Sequence, residues 1–319
     1  MRRVLVTGAL GQIGVELTAA LCERYGADQV VVSDIRLPTP GATSPATLFE
    51  IVDCTQRQQI QEVVRRHKVG LIYHLAALLS AVSEAKPQVA WDINMGGLYH
   101  MLEVARQHRC AVFFPSSIGA FGPTTPRDQT PQDTVQRPTT MYGITKVAGE
   151  LLCDYYAQRF HIDIRGLRLP GLISYIAPPG GGTTDYAVDI FYQAIRYQHY
   201  TCFLRPDTCL DMMYMPDAIT AMMQLMAADA KRLKHRNAFN ITAMRFTPER
   251  LAAEIRKHMP TFVIDYDIDP VRQAIADSWP RSIDDSAARD EWDWAPAYDL
   301  PAMTQGMLAK LSLKLRRNP

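Results

Sequence analysis

The first half of the chain alternates short apolar runs with longer segments that carry apolar residues at helical spacing. Runs of strand length, rich in branched apolar residues, occur at residues 4–6, 30–32, 48–52, 71–75, 111–115 and 162–169. Helix-length segments lie between them at residues 12–25, 56–67, 87–108 and 142–160. Buried strands separated by helices are typical of a parallel sheet covered on both faces. The pattern therefore predicts an α/β fold built on a right-handed, doubly wound parallel sheet.

The pattern changes beyond about residue 170. Residues 176–184 combine prolines with three consecutive glycines, which predicts a loop. Shorter helical segments follow, with a strand at 261–268 and a tail rich in tryptophan and proline. We therefore expect two domains, at 1–170 and 171–319. The second is a smaller α/β domain, and some of its segments are expected to return to the first.

Composition and charge exclude several classes of protein. The 319 residues include 34 Lys and Arg against 33 Asp and Glu, so the net charge of +1 argues against a cationic nucleic-acid binder. Apolar stretches are shorter than the roughly 20 residues that a membrane-spanning helix needs, and the start of the chain resembles a strand and turn rather than a signal peptide. The six cysteines are scattered without metal-ligand spacing. We expect a soluble cytoplasmic protein with no membrane partner and no metal site.

Three glycines follow the first predicted strand. Gly8, Gly11 and Gly14 are spaced G-x-x-G-x-x-G and open the first predicted helix, as required for a turn that brings the backbone close to a pyrophosphate. Asp34 ends the second strand about 20 residues later, where an acid can accept hydrogen bonds from the adenosine ribose of a dinucleotide. Its charge would repel a 2′-phosphate, which favours NAD over NADP, although the nearby Arg36 could accommodate that phosphate. The sequence thus predicts a Rossmann domain that binds NAD.

Candidate catalytic residues follow in the same half. Tyr142 and Lys146 lie four residues apart on one face at the start of a helix. A phenol has a pKa near 10, and a neighbouring cation favours its ionised form, so this pair is suited to proton abstraction. Ser116 and Ser117 end the fifth strand, at the sheet edge where such folds bind ligands. His74 lies within an apolar strand and is expected to be packed rather than catalytic.

Together these motifs resemble the extended branch of the short-chain dehydrogenase/reductase superfamily, which includes the nucleotide-sugar epimerases, from Val4 through at least Asp217. The resemblance implies that Ser117, Tyr142 and Lys146 are catalytic; Ser117 is chosen because it lies five residues before Gly122, although Phe121 replaces the usual tyrosine. The positions that it implies for cofactor binding or its support are Gly8, Gly11, Gln12, Ile13, Gly14, Asp34, Ile35, Asp53, Leu75, Ala76, Ala77, Asn94, Tyr142 and Lys146.

Two departures from that branch concern the substrate. Leu210 stands where members acting on nucleotide sugars carry an arginine, and Pro170-Gly171 stands where they carry an asparagine. Both missing groups would hold a substrate diphosphate. Segments 116–123, 179–186, 212–219 and 278–286 instead resemble the epimerase-like L-threonine 3-dehydrogenases of the same branch.

That narrower resemblance implies NAD-dependent oxidation of L-threonine at C3 to 2-amino-3-oxobutanoate, with Tyr142 as the base, by a homodimer that functions in threonine catabolism. The substrate contacts would come from Ser80, Ser117, Tyr142, Thr183 and Thr184, the last two on the segment 178–186, which closes as a lid. Two alternatives stay open: a nucleotide-sugar epimerase or dehydratase, and a non-catalytic NAD-sensing regulator on the same fold.

Overall fold

The computed structural model describes residues 3–38, 47–176, 178 and 180–317. Within the predicted loop at 176–184, Ala177 and Pro179 lie outside the described residues. The first half contains strands β1 (Arg3–Thr7), β2 (Val30–Asp34), β3 (Leu48–Ile51), β4 (Val69–His74), β5 (Ala111–Ser117) and β6 (Ile164–Leu169). Its helices are α1 (Gln12–Tyr25), α2 (Arg57–His67), α3 (Ser80–Ala85), α4 (Pro87–Trp91), α5 (Gly97–His108) and α6 (Met141–Phe160).

The second half contributes shorter elements. Its strands are β7 (Gly171–Ile173), β8 (His199–Cys202), β9 (Leu210–Tyr214), β10 (Phe239–Asn240), β11 (Met244–Phe246) and β12 (Val263–Tyr266). Its helices are α7 (Tyr186–Tyr197), α8 (Met215–Ala227), α9 (Pro248–Arg256), α10 (Pro270–Asp277), α11 (Ser286–Trp292) and α12 (Leu300–Arg317). Among the described residues, no helix is long and apolar enough to span a membrane.

Seven strands form one parallel sheet in the order β10-β6-β5-β4-β1-β2-β3. Successive residues of a strand point to opposite faces, so Val4 and Val6 pack with α1 and α8, while Leu5 packs with α2, α5 and α6. The predicted doubly wound α/β fold is confirmed. Strand order reverses between β1 and β4, and the crevice beside such a reversal is where this architecture binds ligands.

The second half splits between two locations. β10 joins the edge of the main sheet beside β6, and Trp292 and Trp294 pack in the core on the α1 side. A three-stranded sheet (β11-β9-β7) and a two-stranded sheet (β12-β8) share a separate core with helices such as α7, α9 and α12. The predicted strand at 261–268 is present as the shorter β12.

Two predicted boundaries differ from the structure. The segment 87–108 is interrupted by a π-helical turn at Asp92–Gly96, which turns the Asn94 side chain inward toward Leu78 and Thr145. The strand predicted from residue 162 begins at Ile164, because His161 ends α6 in a left-handed conformation with φ 56° and the chain needs two further residues to enter the sheet.

Candidate active site

A cavity of about 370 Å³ opens at the carboxyl ends of β1, β2 and β4, beside the reversal of strand order. Eight predicted cofactor positions line it: Gly8, Gly11, Asp34, Ile35, Asp53, Leu75, Ala76 and Ala77. Residues that follow four separate parallel strands therefore meet in one cleft, as expected for a dinucleotide site in this fold.

The glycine turn is held by close backbone contacts. Gly8 has φ +64°, and a Cβ there would lie 2.8 Å from the Ala76 nitrogen. A Cβ on Gly14 would lie 2.4 Å from the Gly8 carbonyl oxygen, so this glycine allows α1 to pack against the turn rather than lining the cavity. Helix α1 begins after Gly11, which has no side chain to cap its first N–H groups, and such groups bind anions. The turn fits a pyrophosphate.

Asp34 is positioned for the ribose end of a dinucleotide. Its carboxylate, only 6% exposed, accepts hydrogen bonds from the backbone N–H of Leu10 (3.1 Å) and of Arg36 (3.1 Å). The Arg36 guanidinium also pairs with it at 3.1 Å from Nε, although that side chain is largely exposed. The cation is thus already engaged by the acid, which reduces its capacity to attract a 2′-phosphate.

Asn94 supports the cleft from behind. Its side-chain oxygen accepts from the Leu78 N–H at 2.8 Å, and its amide nitrogen donates to the Leu78 carbonyl and to Thr145 Oγ1, each at 3.2 Å. These bonds tie the end of β4 to α6 between Tyr142 and Lys146. Asn94 therefore holds the segment that follows β4 against α6.

A second cavity of about 150 Å³ adjoins the first, and both are lined by Leu75, Ala77 and Leu79. Ser117, Tyr142 and Lys146 meet in its wall. Ser117 Oγ accepts from the Gly119 N–H at 3.1 Å, and the Ser117 hydroxyl acts to lower the pKa of Tyr142. Lys146 Nζ donates to the Pro115 carbonyl at 2.7 Å and lies 5.3 Å from the centre of the Tyr142 ring. The structure brings the three predicted catalytic residues together.

Burial dominates the electrostatics of this group. It raises the pKa of Tyr142 to about 12, against the lowering effect of the Ser117 hydroxyl. It also lowers the pKa of Lys146 to about 8, with the Glu150 charge acting in the opposite direction. The expected lowering of the phenol pKa by Lys146 is therefore absent from the protein alone, because desolvation outweighs a cation that is hydrogen-bonded to a backbone carbonyl.

The remaining wall of the second cavity comes from distant segments. The predicted substrate residues Ser80, Thr183 and Thr184 line it. The predicted cofactor residues Gln12 and Ile13 also line this cavity and not the first. Three buried polar atoms of this wall, Gln12 Nε2, Thr183 Oγ1 and Trp279 Nε1, have no hydrogen-bond partner among the described residues. Donors and acceptors left unpaired beside a cavity are suited to a polar ligand.

Sequence reasoning missed Asp185 and Trp279. Asp185 Oδ2 accepts from the N–H groups of Gly181 and Gly182, each at 2.7 Å, and burial raises the pKa of this carboxyl group. Asp185 directly follows Thr184, and Trp279 belongs to the segment 278–286 that carried the narrower resemblance. The signal was present in those segments, but only the fold shows that they meet.

Two expectations concern residues outside the reaction. His74 is buried and hydrogen-bonded to Thr7 Oγ1 at 3.0 Å, and burial lowers the pKa of its imidazole to about 3, in keeping with a packed residue. Across the described ranges, no cluster of three His, Cys, Asp or Glu side chains could hold a metal ion.

A dinucleotide cleft that adjoins a serine, tyrosine and lysine cluster defines an oxidoreductase-type enzyme with a nicotinamide dinucleotide cofactor. The chain belongs to the NAD dependent epimerase/dehydratase family, whose model matches residues 4–242.

Solved L-threonine dehydrogenases are close structural neighbours. The enzyme from Clostridium difficile superposes with a TM-score of 0.96 at 54% identity, covering 98% of each chain. A monomeric L-threonine 3-dehydrogenase from a metagenome database gives 0.94 at 43% identity, covering 99% of this chain and 100% of the other. An uncharacterized epimerase/dehydratase of Staphylococcus saprophyticus is 54% identical over 97% of this chain and 96% of its own length.

Proposed function

We propose that this protein oxidises L-threonine at C3 to 2-amino-3-oxobutanoate with NAD as the oxidant. The observation that carries the proposal is the second cavity, which is small, carries several polar side chains and is bordered by the Ser117, Tyr142 and Lys146 cluster. The similarity to solved L-threonine dehydrogenases supports the same substrate.

The size and chemistry of the cavity suit a small amino acid. Its volume of about 150 Å³ is below the roughly 300–1,000 Å³ of sites for drug-sized ligands. The Asp185 carboxylate is a partner for the substrate ammonium group, and the Trp279 N–H and the Thr183 hydroxyl can donate to its carboxylate. A zwitterion with a neighbouring hydroxyl group would satisfy atoms that otherwise lack partners.

Three side chains divide the chemistry. Ser117 would hold the substrate hydroxyl oxygen, and Tyr142, which lies beside Ser117 in the cavity wall, would take the hydroxyl proton. Burial raises the pKa of Tyr142 in the protein alone, so the positive charge of Lys146 would favour the phenolate only together with that of the nicotinamide ring of bound NAD. NAD, when bound in the first cavity, supplies the hydride acceptor; Gly8, Gly11 and Asp34 would hold it. Residues 180–185 would close over the substrate, since Gly182, Thr183, Thr184 and Asp185 already line its cavity.

A nucleotide-sugar substrate is less well supported. Leu210, in the position of the expected arginine, is buried in the C-terminal core, and Pro170 and Leu172 give the cavity an apolar wall where an asparagine would face a diphosphate. A sensor without catalysis would have no need of the Ser117, Tyr142 and Lys146 cluster in the cavity wall.

We also propose that the chain forms a homodimer. Ile144, Leu151 and Tyr155 form an exposed apolar stripe on α6, beside the exposed Trp91 and Tyr99 of the neighbouring helices α4 and α5. A second copy could bury this face against its own. Sedimentation of the Leu151→Glu variant beside the natural protein tests the proposal, because the variant should be monomeric and the natural protein dimeric. A monomeric natural protein, like the monomeric structural neighbour, would refute it.

The decisive experiment is an NADH-absorbance screen with purified protein. L-threonine should reduce NAD well, L-serine poorly because it lacks the methyl group that fills the cavity, and a nucleotide sugar not at all. Absence of NADH formation with L-threonine, together with turnover of a nucleotide sugar, would replace this function with the epimerase alternative.

A further inference from the structure

A buried ion pair lies one helical turn behind the proposed catalytic lysine. Glu150 follows Tyr142 by eight residues and Lys146 by four, so the three side chains share one face of α6. Glu150 is 3% exposed, and its carboxylate receives both Nε (3.1 Å) and Nη2 (2.9 Å) of Arg168 on β6. This pair contacts neither cavity and has no part in the chemistry described above.

Both oxygens of the Glu150 carboxylate accept hydrogen bonds from more than one donor. Ser116 Oγ donates to Glu150 Oε1, and Gln136 Nε2 donates to Oε2 at 2.8 Å. Arg168 donates in addition to the Gln132 carbonyl (2.8 Å) and to Asn240 Oδ1 (3.1 Å). A buried ion pair of this kind is costly unless every group is satisfied, and it contributes more to fixing geometry than to net stability.

The geometry that it fixes is the end of β5. Lys146 Nζ binds the Pro115 carbonyl, and Glu150 binds the next residue, Ser116. Neighbouring side chains of a strand point to opposite sides, so anchoring Ser116 to Glu150 fixes the direction in which Ser117 faces. Both serines line the second cavity. Arg168 is the cross-strand partner of Ser116 in the β5–β6 register. The pairing of β5 with β6 therefore fixes the position of Ser116 from the side of the sheet.

The pair also sets the charge around Lys146. The ionisable groups that face Lys146 are Tyr142, Glu150 and Cys153 on α6 and His74 on β4. Burial raises the pKa of Tyr142 and of Cys153 and lowers that of His74, so these three are neutral near pH 7. The negative charge in this group comes from Glu150.

We propose that Glu150, paired with Arg168, is a positioning residue of this active site: it holds the strand end that carries Ser117 and supplies the negative charge that faces Lys146. The inference deepens the proposed function, on which its kinetic consequences rest. Its electrostatic consequence can be measured without any substrate.

The electrostatic test measures the protonation of Lys146 by trace labelling with acetic anhydride across pH, with quantification of the Lys146 peptide by mass spectrometry. Lys146 is only 5% exposed but lines the second cavity, so a small reagent would reach it through that cavity. Glu150→Gln should lower the labelling midpoint of Lys146 by about one pH unit, because an opposing charge is lost. Asp154→Asn, the same charge change one turn further along α6, is the matched control and should leave the midpoint unchanged.

Glu150→Gln leaves the buried Arg168 without a carboxylate partner and could fail to fold. The double variant Glu150→Gln with Arg168→Met removes both charges and should show the same lowered midpoint. An unchanged midpoint in whichever of these variants folds, or an equal shift in Asp154→Asn, would overturn the electrostatic role.

The positioning role is tested by Ser116→Ala, which removes a hydrogen bond but no charge. We expect kcat for threonine oxidation to fall about tenfold, with the KM for NAD and the labelling midpoint unchanged, and Ser116→Thr to restore the rate. A normal kcat in Ser116→Ala would overturn this role. If the natural protein does not oxidise threonine, the proposed function fails, whereas the labelling result still decides whether Glu150 controls Lys146.

Discussion

The two adjoining cavities are assembled in different ways. The first is lined mainly by residues that directly follow parallel strands, so most of its polar groups have positions dictated by a local motif and by the sheet edge. The second combines the ends of β4 and β5 with the start of α6, residues 182–185 and Trp279 near the end of α10. A cofactor site can therefore be recognised from short-range spacing, whereas the substrate site depends on how a separate core packs against the sheet.

Tyr142 lies in the wall of the second cavity, which adjoins the first, and its replacement should have the largest effect. Tyr142→Phe removes the proton acceptor while keeping the ring, so kcat should fall about 1,000-fold with little change in NADH affinity measured by fluorescence. Because burial raises the pKa of Tyr142 to about 12, the natural enzyme should turn over faster as pH rises through the neutral range. A variant with near-normal kcat would show that another group is the base.

Asp34 belongs to the first cavity alone. Asp34→Asn removes the charge that repels a 2′-phosphate and releases Arg36, so the preference in kcat/KM for NAD over NADP should fall about 100-fold. Asp53→Asn, a matched loss of charge in the same cavity, should leave the ratio near its natural value. Equal use of both cofactors by the natural protein would contradict the assignment of Asp34.

Thr183 and Thr184 belong to the second cavity alone. Replacing both with alanine removes two hydroxyl groups from its wall, so the KM for threonine should rise about tenfold while NAD affinity stays the same. Thr201→Ala, at an exposed site on β8, is the control. If the KM does not change, residues 180–185 are only a connection and the substrate is held elsewhere.

Asp211 on β9 lies in neither cavity and should affect stability alone. It is buried with Oδ2 unpaired among the described residues, and burial raises its pKa from 3.8 to about 7. The folded protein therefore holds a proton that the unfolded chain releases above pH 4, and this stabilisation is lost as pH rises toward 7. Asp211→Asn should gain about 2 kcal/mol in unfolding free energy relative to the natural protein between pH 5.5 and 7.5. Parallel pH dependence of thermal unfolding in the two proteins would argue against the raised pKa.

Much of the cofactor site could be predicted because its signals are local. The spacing of Gly8, Gly11 and Gly14 and the placement of Asp34 each refer to one strand and the turn that follows it. The same holds for Tyr142 and Lys146, which share a helix face by spacing alone. The sequence assigned Asn94 to this site but did not predict which residues it contacts. The π-helical turn that directs its side chain inward leaves no clear periodic pattern in the sequence.

The chain by itself determined the order of strands and helices, the fold class and the identity of the reactive groups, because these follow from which residues alternate, recur or adjoin along the backbone. The tertiary structure decided how those groups behave. It placed Asp185 and Trp279 beside Ser117, joined Ser116 to Glu150 and Arg168, and raised rather than lowered the pKa of Tyr142. Burial and long-range contact depend on the packing of segments far apart in sequence, and no local pattern encodes them.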